Sequence, residues 1–139
     1  MTKFDTIGIL LMLFVVSCST GIKEKQVEYE KNPDNIQIVL FHLSQRCESC
    51  NAVESETKAF LEQKYPKELT SGEIRFLSFD ILSENGKSAA KQLNAYGLNL
   101  FIVKGDSILD LTSSAFLLAQ TQPENFAKIL SNEIKKIME

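Results

Sequence analysis

Tryptophan is absent from the 139 residues, and histidine occurs once. A single imidazole excludes any centre that needs two, such as a histidine-rich zinc enzyme. An excess of basic charge is missing too. Fifteen Lys and Arg stand against 18 Asp and Glu, for a net charge of −3 and a pI near 5.3, the reverse of a nucleic-acid-binding footprint. No apolar run reaches the ~20 residues of a permanent membrane-spanning helix, and there is neither an internal repeat nor a low-complexity stretch. What is present is 44% apolar and 24% charged residues, the composition of a folded globular domain. The length suits one domain with a real core. The three cysteines, Cys18, Cys47 and Cys50, carry most of the chemical information.

Residues 1–17 have the layout of a secretory signal, with Lys3 in a short n-region (opposed by Asp5) and an apolar run from Ile7 to Val16. The segment Val15-Val16-Ser17-Cys18 resembles the lipobox of bacterial lipoproteins. That resemblance implies acylation of the Cys18 thiol, cleavage before it and anchoring in a membrane. Several acyl chains on one residue make such an anchor stable. Ser19 is not an inner-membrane retention acid and leans toward the outer membrane under enterobacterial sorting rules. The alternatives are an ordinary secreted protein with a stray Cys18 thiol, or an uncleaved anchor. Residues 18–35 are polar and charge-alternating and read as a tether, solvated from Lys23 to Lys31. The expected organisation is a signal over 1–17, lipidated Cys18 with a flexible tether over 18–35, and a folded domain over 36–139.

Within the domain, Ile36–Leu43 is a β-branched apolar run suited to a strand buried on both faces. From Cys47 to Tyr65 the period becomes helical. Val53, Phe60 and Leu61 share one face with Ala52 and Ala59 beside them, Glu54 and Lys58 form an exposed pair, and Pro66 stops the helix. A second strand over Ile74–Ile81 completes a right-handed βαβ unit with parallel pairing. A helix over Lys87–Tyr96 is expected to bury Ala89, Leu93 and Tyr96. Strands over Leu98–Lys104 and Ile108–Thr112 join through a Gly105-Asp106 turn. Thr121–Glu124 reads as a capping box with Pro123 in the first turn. It opens a last helix that buries Phe126, Ile129, Leu130, Ile134 and Ile137. Residues 113–120 carry no assignable pattern.

Cys47-Glu48-Ser49-Cys50 falls where the first strand gives way to the first helix. A helix N-terminus exposes unpaired N–H groups and partial positive charge, which stabilise a thiolate. Spacing of i, i+3 brings the second sulfur onto the same turn, within reach of a disulfide. Cys47 would attack a substrate disulfide and Cys50 would resolve the mixed disulfide. Arg46 should favour the Cys47 thiolate and Glu48 should oppose it.

The order β–α–β–α–β–β–α with CxxC opening the first helix resembles the thioredoxin-like superfamily over residues 36–139. Phe79-Asp80-Ile81 and Ala95-Tyr96-Gly97-Leu98 add local similarity. The resemblance implies an α/β fold, a three-layer α/β/α sandwich around a four-stranded mixed sheet. It also implies thiol–disulfide oxidoreductase activity through Cys47 and Cys50, with no cofactor beyond their redox-active disulfide. The chain departs from the family pattern at four places. The cis-proline facing the CxxC is missing, the prolines being Pro33, Pro66 and Pro123, and Asn99 or Leu100 stands near its position. Leu40 and Phe41 occupy the stretch of the family's buried acid. Arg46 replaces the usual tryptophan, and Glu48-Ser49 replaces the usual Gly-Pro.

Other readings of the same residues are a structural disulfide, which would close a small loop and stabilise little, and a metal site using Cys47, Cys50 and His42. A domain that keeps only the fold and binds partners is a third. Asp80 reads as a solvated strand end or a proton relay for Cys50, and Tyr96 as core. The expected partners are thiols or disulfides of envelope proteins and, through Cys18, a membrane facing the periplasm. Nucleic acid is not expected, and the chain is expected to be a monomer.

Overall fold

The computed structural model describes residues 27–139. The signal segment, Cys18 with its lipobox, and residues 18–26 of the expected tether lie outside the described residues. Strand β1 (Ile36–His42) is buried at every position. It lies inside a four-stranded sheet ordered β2-β1-β3-β4, with β2 spanning Ile74–Asp80, β3 Asn99–Lys104 and β4 Ser107–Asp110. β2 runs parallel to β1, from Ile36 opposite Ile74 to His42 opposite Asp80. β3 runs antiparallel, with Phe41 opposite Asn99, and β4 pairs antiparallel to β3. The β3–β4 turn uses Gly105 at φ 58°, a left-handed conformation suited to a tight hairpin.

Alternation along β1 sends its side chains to two cores. Ile38 and Leu40 join Val53, Leu61, Ala115, Phe126, Leu130 and Ile134 on one face. That face is covered by α1 (Glu48–Lys64), α4 (Thr112–Leu118) and α5 (Pro123–Met138). Val39 and Phe41 join Leu77, Phe79, Ala89, Leu93 and Phe101 on the other, under α3 (Glu84–Leu93). The result is the expected α/β sandwich around a four-stranded mixed sheet, in the thioredoxin-like arrangement, with two short helices beyond the expected βαβ and αββα order. Among the described residues, no helix is long and apolar enough to cross a membrane.

Several local expectations are corrected. Pro66 ends α1 but also opens a short helix, α2 (Pro66–Ser71), because a first-turn position needs no N–H. Helix α3 starts earlier than expected, with the Ser83 side chain accepting Gly86 N–H, and it stops at Asn94, whose φ of 53° turns the chain. That turn breaks the helical period, so Ala95 is buried while Tyr96, expected in the core, is 91% exposed. Ala59 is exposed and Ala52 half-buried. The capping box at Thr121 does not form. Its hydroxyl donates back to the Leu117 carbonyl, and Gln122 is the residue at the α5 N-cap. Phe126, Leu130 and Ile134 are buried as expected, whereas Ile129 and Ile137 are only partly so. Residues 113–120 largely form α4, which packs Ala115 and Ala119 into the core. Its Thr-Ser-Ser start has weak helix propensity, and packing outweighs that.

Residues 27–35, read from sequence as the end of a tether, lie against the domain. Tyr29 is 4% exposed and belongs to the α3-side core. The Glu30 carbonyl accepts the buried Gln37 amide at 2.8 Å, and the Asn32 carbonyl accepts Gly105 N–H at 3.2 Å. Alternating charge had concealed one aromatic anchor. Tyr29→Ala is expected to lower stability by about 3 kcal/mol, read as a lower urea midpoint at unchanged m. Burial raises the Tyr29 pKa above its ordinary 10.0, so its contribution is complete below pH 10 and is lost as pH rises through the raised value.

Candidate active site

Cys47 is the N-cap of α1, with extended backbone (φ −83°, ψ 165°), and its Sγ accepts the Cys50 N–H at 3.3 Å. One helical turn later Cys50 points inward and is 1% exposed, while Cys47 is exposed. The two free thiols face each other with Sγ atoms 2.7 Å apart. Hydrogen bonds from the Cys50 side chain and N–H, aided by the Cys47 and Ser49 backbone, push the Cys47 thiol below its ordinary pKa. Burial pushes the Cys50 thiol up, reinforced by Cys47 beside it. The pair is therefore asymmetric: the outer sulfur ionises more readily than an ordinary thiol and the inner one less readily.

The expected tuning by neighbouring charges is not what the structure contains. Arg46 forms an ion pair with Glu54 and donates to His42 Nε2 at 2.8 Å and to Ser78 Oγ at 3.4 Å. Its guanidinium is thus committed to β1, β2 and α1, and local hydrogen bonds lower the Cys47 pKa instead. Glu54 is not simply half of an exposed pair. Its side chain is 14% exposed and holds both Arg46 and, at 2.6 Å, Lys58. Glu48 accepts from the Gln120 amide at 3.4 Å, and Ser49 donates to the same Gln120 at 3.4 Å.

Asp80 ends β2 beside His42 and accepts hydrogen bonds from Ser44 Oγ and, at 2.9 Å, from Leu82 N–H. These bonds, with His42 and Arg46 nearby, hold its carboxyl below the usual range. Ser44 bonds one of its oxygens and Leu82 the other, at the strand end where the sequence read either a solvated acid or a relay for Cys50. Asn99 opens β3, and its amide donates to Thr112 Oγ1 at 3.3 Å, while its Oδ1 is buried without a partner. Leu100 is fully buried, and its N–H also donates to Thr112 Oγ1, at 3.1 Å. Thr112 therefore anchors the start of β3, near which the sequence resemblance marked a missing cis-proline, and no cis peptide occurs among the described residues.

His42 does not join the cysteines. Its Nε2 faces Arg46 and its Nδ1 lies 3.0 Å from the Leu43 carbonyl. Among the described residues, no three His, Cys, Asp or Glu side chains converge as a metal site would require. Gln120, Thr112, Ser44 and the buried role of Glu54 were missed from sequence. Gln120 lies 71 residues from Ser49, and nothing local marks it.

The strand ends set the surroundings of Cys47. β1 and β2 finish, and β3 begins, at one end of the sheet. The exposed apolar side chains of Leu43, Leu82 and Tyr96 follow or precede those strands at that end. Leu117 is exposed on α4, one turn before Gln120.

No family model matches the chain, and no curated protein matches it. Among solved structures it is similar to the thioredoxin of Fasciola hepatica, at 20% identity over 57% of this chain and 67% of the other, with a TM-score of 0.41. It is also similar to thioredoxin O2 of Arabidopsis thaliana in its oxidised state, at 18% identity over 63% of this chain and 76% of the other, with a TM-score of 0.43. Thioredoxin f2 of Chlamydomonas reinhardtii matches at 18% identity over 68% of this chain and 85% of the other, with a TM-score of 0.44. The thioredoxin-like fold itself is carried by the strand order β2-β1-β3-β4 and by the two faces that the helices cover.

Proposed function

We propose that this protein carries out thiol–disulfide exchange with other proteins of a bacterial envelope, anchored there through lipidated Cys18. The observation that carries the reading is the exposed Cys47 thiol at the α1 N-cap, accepting the Cys50 N–H and 2.7 Å from the buried Cys50 thiol. The Cys47 thiolate attacks one sulfur of a substrate disulfide, forming a mixed disulfide and releasing the other sulfur as a thiolate. Cys50 then gives up its proton and attacks Cys47 Sγ, and the second substrate sulfur leaves. Two electrons pass to the substrate, and the Cys47–Cys50 disulfide takes their place on the protein. The reverse sequence oxidises a dithiol.

The exposed Leu43, Leu82 and Tyr96 support a protein substrate, since they offer apolar surface at the Cys47 end of the sheet. The lipobox-like Val15-Val16-Ser17-Cys18 supports the anchor and, with it, a compartment where disulfides persist.

Redox titration in defined glutathione and dithiothreitol buffers tests the reading, with free thiols counted by alkylation and mass spectrometry. A reversible two-electron step between about −120 and −270 mV is expected. A pair that never cycles, or thiols protected until a metal is stripped, would overturn it.

A further inference from the structure

His42 is the chain's one histidine and is 7% exposed at the end of β1. Its Nε2 receives Arg46 Nη2–H at 2.8 Å, and its Nδ1 lies 3.0 Å from the Leu43 carbonyl oxygen. A guanidinium has donors only and a carbonyl oxygen accepts only. The two contacts are satisfied together when Nε2 carries the lone pair and Nδ1 the proton, the Nδ1–H tautomer. Arg46 is the residue immediately before Cys47, and Glu54 on α1 and Ser78 on β2 hold its other side. The loop from Leu43 to Arg46 is thus fastened to the sheet and to α1 just ahead of the residue whose sulfur caps that helix.

We propose that His42 is a positioning residue for Cys47: as a neutral imidazole it holds Arg46, and through Arg46 it keeps Cys47 in its N-cap geometry. The proposal rests on the reading of Cys47 as the attacking thiol. The charged groups around the imidazole are Arg46 from the loop, Glu54 (itself held by Lys58) from α1 and Asp80 from β2. On β3 the residue opposite neighbouring Phe41 is the neutral Asn99. Protonating His42 places an N–H on Nε2 against the Arg46 donor, so their hydrogen bond is lost. Asp80 then offers the imidazolium a competing partner.

Two consequences of protonation have opposite signs. A new positive charge alone would favour the Cys47 thiolate and raise its reactivity. Release of the loop would weaken the cap and lower it. The proposal requires the second.

The test measures iodoacetamide alkylation of Cys47 in the reduced full chain, read site by site by mass spectrometry from about pH 5 to about pH 8. The His42 midpoint and tautomer come from NMR of the single imidazole. Beyond ordinary thiol titration, a further fall of about fivefold is expected below the His42 midpoint, the usual weight of one N-cap hydrogen bond. His42→Gln keeps an acceptor for Arg46 without titrating. It is expected to retain the high-pH rate and to lose the further fall. His42→Leu, which suits an apolar strand, is expected to show the reduced rate at every pH. Equal rates in the two variants, a rise below the midpoint, or an Nε2–H tautomer in the unaltered chain would overturn the proposal. Alkylation needs no substrate protein. A chain that shows these effects but exchanges no disulfides would therefore refute the proposed function and leave the positioning role standing.

Discussion

Cys47→Ser is expected to abolish disulfide exchange, and Cys50→Ser is expected to trap it. The asymmetry of the pair dictates the difference. Cys47 is exposed and its pKa is lowered by the hydrogen bonds that converge on its sulfur, so it is the sulfur expected to ionise first where a substrate can reach it. Cys50 is 1% exposed and burial raises its pKa, so alone it is neither reachable nor ionised at neutral pH. Cys50→Ser leaves the attack intact and removes the resolving sulfur, so mixed disulfides through Cys47 should accumulate and appear on non-reducing gels. Cys47→Ser should form none, and its remaining domain thiol should alkylate at least about tenfold more slowly than Cys47 does in the Cys50→Ser chain. The Cys47 rate should reach half its plateau below the ordinary free-thiol value of about 8.5, because its thiolate persists to lower pH. Adducts through Cys50, or none in the Cys50→Ser chain, would contradict the assignment of roles.

The second large effect is one of stability. Gly86→Ala is expected to cost about 3 kcal/mol, at the upper end for overpacking. A Cβ at Gly86 would sit 1.8 Å from the Asp80 carbonyl oxygen, 2.6 Å from its carbon and 2.9 Å from Ser83 Oγ. None of these can yield easily. The Asp80 carbonyl ends β2 and accepts both Ser83 N–H at 3.0 Å and Ser83 Oγ–H at 2.7 Å, and Ser83 Oγ in turn accepts Gly86 N–H at 2.9 Å. One methyl group would thus break the α3 cap and push the helix off the sheet beside Asp80. Gly97→Ala is the control, since its Cβ would meet nothing within 4 Å. Urea denaturation of both variants checks the expectation. Helix propensity taken alone predicts the opposite sign at Gly86, a gain of about 1 kcal/mol from Gly to Ala. A raised urea midpoint would show that propensity prevails over the contact.

Gly86 separates what is local from what is not. Elements encoded by local pattern were legible in advance: the doubly buried β1, the CxxC at the strand-to-helix junction, the hairpin at Gly105-Asp106 and the apolar face of α5. Periodicity and turn chemistry act over a few residues and need no knowledge of the rest of the chain. Tyr96 lost its expected burial because one left-handed residue, Asn94, redirected the chain. Tyr29 gained burial because its charged segment is hydrogen-bonded along the domain and lays the ring into the α3-side core.

By itself, then, the sequence determined the order of the four strands and of α1, α3 and α5, and the placing of Cys47 and Cys50 where α1 opens, since both depend on residue type and short spacing. Only the tertiary structure decided the company the pair keeps. Arg46 turns to Glu54, His42 and Ser78 rather than to Cys47, and Gln120 reaches Glu48 and Ser49 across 71 residues or more of chain. A long polar side chain goes to whichever partners the fold brings within a few ångströms, and sequence spacing carries no record of that distance.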